Sequence, residues 1–528
     1  MKICIAISLL FASLVFGETK LILLGQQTPL LTEDRIPQEN GLYLFGITLP
    51  GSKAALETKL LPFLVANDFD LDAIKEAIAQ FYQEHQRPFV IVSVPPQELH
   101  GNALQICVSE GVVGEIKTTG NRYVSSSRLK QYLGLKPGDP IEPQRVAKNL
   151  AFINRNPFRR TDLVYTAGQM KGTTDLELIT KDRNPVRAYA GIDNYGVTPT
   201  GHNRLFAGAN WANAFGIDHI LSFQYTTTSN VKRFQSVTVH YTAPLSWKHT
   251  LIAYGGYSWL KVPFLDVFET NGKSAQGSLR YEIPLFPSEG FLHEVSFGWD
   301  YKWTNNETQF GVSPAFVGLV NLFQCVGSYH LDWSNSWLNT TLELQAFWSP
   351  GNWLPHQSNA DYSKLRSFAK SHYIYGRLGS TSTFKLPLNG SFVAAIRGQY
   401  ASQNLLASEQ IGLGGYDTVR GYPERIVNVD NALIVNTEIR SPSFSLFPKK
   451  KDAGDEMYFL GFFDYGLGGL HKRVGGEPKT QYLMGIGPGV RYYLNRFASA
   501  RLDWGFRLHK IAPHESSNRF HFSAIASY

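Results

Sequence analysis

The chain has 528 residues, enough for more than one domain, and a formal charge of only +7. Charged residues make up 18% and aromatics 13%, with 47 glycines. No run of 18 uncharged apolar residues follows the N-terminus, so no transmembrane helix is predicted there and any membrane crossing must use strands. The one dense basic block, Lys449-Lys450-Lys451, is offset by Asp452, Asp455 and Glu456, which excludes nucleic acid as a partner.

Residues 1–17 read as a secretory signal peptide: Lys2 supplies the positive end, Ile3 to Phe16 the apolar core, and Gly17 a small residue at the cleavage point. The apolar run, about 14 residues, is short of the roughly 20 that span a bilayer. Residues 18–40 hold Pro29 and Pro37 among polar side chains and are expected to form a flexible lead-in. From 41 to 111 the order is strand, helix, helix, strand, strand. Leu71, Ile74, Ile78 and Phe81 mark one face of the second helix, and 89–94 and 103–109 are the closing strands. The same order recurs over 112–183. A strand at 112–118 precedes a helix at 125–133 ended by Gly134, and Pro143 opens a helix striped by Val146, Leu150 and Ile153. Strands at 161–166 and 175–180 complete the copy.

From 186 to 528 period-two alternation replaces helical stripes. Val237, Val239 and Tyr241 alternate with Thr238, His240 and Thr242, and Phe392, Ala394 and Ile396 with Val393, Ala395 and Arg397. About sixteen such strands fit, and connections alternate short (215–217) with long (350–367, 404–430). The chain ends on an alternating strand with Phe520, Phe522 and Tyr528. These features fit an outer-membrane barrel of about 16 antiparallel strands better than a soluble sandwich. Cys107 and Cys325 fall in different domains, so no structural disulfide is expected. No metal-ligand spacing, Gly-x-Ser-x-Gly run or phosphate loop occurs; His514-Glu515 lacks a second histidine, and the run Gly485-Ile486-Gly487-Pro488-Gly489 is expected to relieve strand curvature. Neither an enzyme nor a cofactor is expected.

Val419-Arg420-Gly421-Tyr422 lies on the long loop 404–430, and Phe462-x-Asp464-x-Gly466 on a later strand. With two strand-helix-helix-strand-strand modules before a barrel, these runs resemble the two-partner-secretion transporters of the ShlB/FhaC/HecB group (TpsB type), within the superfamily that includes barrel-assembly proteins. The modules resemble POTRA domains (POTRA 1 at 41–111, POTRA 2 at 112–183). The resemblance implies that the loop folds back into the lumen, that Arg420 pairs with Asp464, and that Glu438 is a second candidate lumen carboxylate or a plain wall residue. Better-known members carry an N-terminal plug helix; 18–40 lacks the amphipathic spacing for one.

The implied function is capture of an unfolded secreted passenger by periplasmic POTRA modules and its export through the barrel in the outer membrane. Capture would add a strand to a sheet edge, aided by apolar grooves near Ile74, Ile78, Val146 and Leu150, side chains that are chiefly core. The expected partners are the passenger, outer-membrane lipid and the barrel-assembly machinery that inserts this chain as a monomer. The alternative is an insertase working through the seam between first and last strands. A small-solute porin leaves the modules unexplained.

Overall fold

The computed structural model describes residues 19–65, 70–100, 102–170, 172–197, 199–264, 268–285, 290–310, 313–447, 454–511 and 516–528. The signal peptide, Lys449-Lys450-Lys451 and His514-Glu515 lie outside the described residues. The chain divides into two compact units, Met1–Arg183 and Asn184–Tyr528.

The first unit opens on β1 (Lys20–Gly25), followed by β2 (Gly41–Phe45), helices α1 (Lys53–Val65) and α2 (Leu71–Glu84), and strands β3 (Val90–Ser93) and β4 (Ala103–Glu110). The expected lead-in over 18–40 is therefore corrected, because β1 lies inside a four-stranded sheet of order β2-β1-β4-β3, parallel to both neighbours. Leu21 and Leu23 pack with the helix side chains Leu56, Ile74, Ile78 and Phe81. On the other face Ile22 and Leu24 pack with Ile36 and Ala103. A strand covered on both faces is apolar at every position, which removes the alternation that marks a half-buried strand. Asp70 caps α2 by accepting the Ala73 N–H at 3.0 Å.

Truncating Leu23 to alanine is expected to cost about 2–5 kcal/mol, and Leu23→Asp to unfold the module outright. Limited proteolysis of the full chain checks this, with new cuts between 19 and 110 while the barrel fragment persists.

The second module runs β5 (Val112–Thr119), α3 (Ser126–Leu133), α4 (Pro143–Ile153), β6 (Arg159–Ala167) and β7 (Thr173–Asp182), with sheet order β5-β7-β6. Ser125 caps α3, and Gly134 ends it in the left-handed region at φ 61°. The Asp182 carboxylate gathers the N–H groups of Arg122, Tyr123 and Val124, tying the end of β7 to the turn before α3. Ile74, Ile78 and Val146 are buried core, and Leu150 packs against the second core.

The second unit is a closed ring of sixteen strands from β8 (Val186–Asp193) to β25 (Asn518–Ser527), interrupted in sequence order only by a short ladder, β19 (Ile411–Leu413) with β20 (Val427–Val429), in the loop after β18 (Ser391–Ala401). Every neighbour is antiparallel, and β25 closes on β8 from Ser523↔Asp193 to Ser527↔Tyr189. Asn194 extends the seam past the ladder by donating to the Phe520 carbonyl and accepting the Phe522 N–H. Period two sends Val239, Leu344 and Ile396 outward, where they are exposed on the apolar face. Thr238, Ser258, Ser274, Gln276 and Thr304 line a cavity of about 540 Å³ inside the ring.

Candidate functional site: the lumen loop and its wall

The loop between β18 and β21 (Asn431–Arg440) turns inward at Gly414 and Gly415, whose φ values of 93° and 107° are open to glycine. Its apolar side chains Leu413, Val419, Tyr422 and Val429 bury against Ile434 and Leu483 of the wall, so the segment is packed like a core.

Arg420 is 3% exposed at the tip. Its Nε and Nη2 donate to the two oxygens of Asp464 at 2.8 and 2.9 Å, and its backbone N–H donates to Asp464 Oδ2 at 3.0 Å. Nη1 donates to Glu438 Oε1 at 2.7 Å and lies 3.5 Å from Asp503 Oδ1. The guanidinium sits 3.6 Å from the centre of the Phe462 ring. Such a planar fork meets two carboxylates and a ring face at once, which a lysine cannot do.

The other two carboxylates have guanidinium partners of their own. Arg440 holds the second oxygen of Glu438, and Arg491 donates to Asp503 at 3.0 Å. Three guanidinium groups thus face three carboxylates. Asn436 donates to Asp464 Oδ1 at 2.7 Å and to the Thr418 carbonyl at 2.6 Å, fixing the loop to the same wall.

The wall run has a direct reading in period two. Phe462, Asp464 and Gly466 lie at i, i+2 and i+4 of β22 (Asp455–Gly469), all turned into the lumen. Phe462 gives its ring face, Asp464 its charge, and Gly466 room, since a Cβ there would lie 2.8 Å from Val419 Cγ2. In the loop, Gly421 has φ 98°; its N–H donates to His521 Nε2 at 3.0 Å and its carbonyl accepts from Arg507 at 2.7 Å. The Tyr422 hydroxyl accepts the Met484 N–H at 3.3 Å and sits within hydrogen-bond reach of the carbonyls of Met484 and His509, to one of which it donates.

Two features went unseen in the sequence. Asp503, Arg491 and His521 belong to the site but carry no motif, and their inward orientation follows only once the strand register is known. The run 485–489, expected to relieve curvature, has another role. A Cβ on Gly485 would lie 2.1 Å from the Arg420 carbonyl, and one on Gly489 would lie 2.1 Å from Asp503 Oδ1. Those glycines make space for the loop and its carboxylate.

Phe520, Phe522 and Tyr528 lie on the outward face of β25 and beyond its end, and the Tyr528 N–H and carbonyl both bond to Ala188 of β8. Removing Tyr528 is expected to lower the yield of folded barrel several-fold, read as the heat-modifiable band in membranes.

The family model described as haemolysin secretion/activation protein ShlB/FhaC/HecB matches residues 172–492. The chain is 24% identical over 437 residues to the heme/hemopexin transporter protein HuxB of Haemophilus influenzae, covering 80% of this chain and 74% of that protein. It is 20% identical over 368 residues to the outer membrane transporter CdiB of Dickeya dadantii, covering 66% and 62%. The solved structure of CdiB from Escherichia coli superposes with a TM-score of 0.78 at 15% identity, over 97% of this chain and 91% of that one. CdiB from Acinetobacter baumannii gives 0.69 at 18% identity, over 97% and 90%.

Proposed function

We infer, from the premise that this chain belongs to the haemolysin secretion/activation protein ShlB/FhaC/HecB family, how its barrel moves a partner. The protein is an outer-membrane transporter of the two-partner-secretion type, with POTRA modules in the periplasm and a sixteen-stranded barrel through which a secreted passenger leaves. The observation that carries the mechanism is the inward-folded loop. It is held to the wall by hydrogen bonds and packing, so its tip is removable without breaking the ring of strands.

In this reading the passenger reaches the modules unfolded. It adds a strand to one of the outer strands of the two sheets, β2 or β3 in the first and β5 or β6 in the second, where backbone hydrogen bonds accept many sequences. The loop then leaves the Asp464 wall, and the extended chain slides along the hydroxyl- and amide-lined side of the lumen. Folding outside the cell biases the direction. The barrel acts as a monomer, since one chain closes the ring, and its own insertion uses barrel-assembly machinery that reads the last strand with Phe520, Phe522 and Tyr528. The match to the secretion/activation family favours passage through the lumen over lateral insertase work.

Planar-bilayer conductance of wild type and Arg420→Ala, together with export of a co-expressed secreted partner, tests this reading. Export by wild type with altered gating in the variant is expected. A protein that conducts nothing and exports nothing, yet speeds folding of other barrels into membranes, overturns the reading in favour of an insertase.

A further inference from the structure

We propose that Glu409 and Lys302 form a second anchor of the lumen loop, on the arc of wall next to the one that holds Arg420, and that they are positioning residues whose release sets how far the pore opens. The proposal rests on the transport reading above and assigns it residues that no sequence motif marks.

Glu409 lies on the arm leading from β18 to the loop tip and is fully buried. Its Oε1 accepts from Lys302 Nζ at 2.6 Å. Its Oε2 accepts from the Tyr375 hydroxyl at 2.8 Å and from Gln324 at 3.1 Å. Its carbonyl accepts from Arg377 at 3.0 Å and from Gln399 at 3.2 Å. These partners come from four wall strands, β14 (Phe291–Phe310), β15 (Ser313–Ser334), β17 (His372–Lys385) and β18. A buried carboxylate that accepts three wall hydrogen bonds is a tether, because moving it strips those bonds from a buried charge.

Its place in the ring gives it consequence. β14, which carries Lys302, is eight strands from β24 (Ala498–Arg507), which carries Asp503 and Gly505 against the loop tip. Glu409 thus bonds to one arc of the wall, β14 to β18, and Arg420 to the next arc, β21 to β24, with Lys302 and Asp503 half a ring apart. Freeing the tip alone leaves the arm tethered; freeing the arm alone leaves the tip locked.

The two anchors differ in what they leave behind. Withdrawing Arg420 leaves three carboxylates, Asp464, Glu438 and Asp503, with Arg440 on Glu438, Arg491 on Asp503, and Asn436 and the charge of Arg397 near Asp464. Withdrawing Glu409 leaves Lys302 beside Asp300, two residues away on the same lumenal face, where Arg280 donates to one Asp300 oxygen and Gln324 to the other. Lys302 also lines the cavity of about 540 Å³, where water can solvate it. The arm therefore releases first, giving a narrow opening that the tip still obstructs, and release of Arg420 completes it.

Single-channel recording of the full-length protein tests this. Glu409→Gln, nearly isosteric, is expected to raise the frequency of small openings about tenfold with the large openings still rare. Lys302→Gln should do the same from the other partner. The double variant Arg420→Ala/Glu409→Gln should show large openings beyond either single one. The exchange Lys302→Glu/Glu409→Lys should restore closure, which a mere packing role would not. Wild-type gating in both single variants, or an exchange that fails to restore closure when both singles disturb it, overturns the proposal. If Glu409→Gln alters gating but wild type exports no partner, the anchor stands and the transport reading fails; if wild type exports and Glu409→Gln gates normally, the anchor fails alone.

Discussion

Arg420→Ala is expected to free the loop tip and turn rare large conductance events into frequent ones. The change removes three charge-assisted hydrogen bonds, the approach to Asp503 and the contact with the Phe462 ring, but its main effect comes from what stays. Asp464 and Asp503 are fully buried, and Glu438 is nearly so. Deleting one partner of such a group costs about 3–5 kcal/mol, enough to shift a closed-to-open ratio a hundredfold or more. Arg420→Lys should recover little, since a single ammonium cannot span both Asp464 oxygens, reach Glu438 and cover the Phe462 ring. Asp464→Ala should match Arg420→Ala, and the double variant should be less disturbed than the sum of the two, because it removes both members of the pair. Bilayer recording beside the urea midpoint of the folded barrel reads both effects.

The second large effect is steric and involves no charge. Gly505→Val is expected to unseat the tip almost as fully, because a Cβ on Gly505 would lie 2.3 Å from the Gly421 nitrogen and 2.7 Å from its Cα. Gly485→Val meets the Arg420 carbonyl in the same way. Both contacts are with loop backbone, which has no rotamer to change, so the loop must lift. Overpacking of this kind costs about 1–3 kcal/mol, and it falls on the docked state alone because the strands themselves tolerate valine. The expected reading is more frequent large openings with an unchanged urea midpoint of the barrel, which separates loop release from barrel damage.

How much of this was legible in the sequence depends on whether the signal was local. The outward face of the barrel was legible because alternation such as Phe392, Ala394 and Ile396 repeats within one strand. The helix stripes and stops were legible because Asp70, Ser125 and Gly134 act on their own neighbours. The first strand was not, because Leu21 to Leu24 is buried on both faces and shows no period. Its partners Gly41–Phe45 and Ala103–Glu110 lie far along the chain. The site divides in the same way. Arg420, Asp464 and Gly466 sit in recognisable runs, and their resemblance to a family suggested the pair. Asp503, Arg491, His521 and Glu409 are single polar residues in ordinary strand or loop context. Only the register of the strands, set by contacts across tens to hundreds of residues, brings them to the loop.

For a passenger to pass, the loop must leave the Asp464 wall. A reversible tether tests it: Val419→Cys with Gly466→Cys places two thiols where Val419 Cγ2 already lies 2.8 Å from the position of a Cβ on residue 466, within reach of a disulfide. Export of the secreted partner is measured with and without reductant in cells bearing this barrel. Export stopped by the oxidised tether and restored by reduction is the result expected; undiminished export through the oxidised barrel would contradict the account.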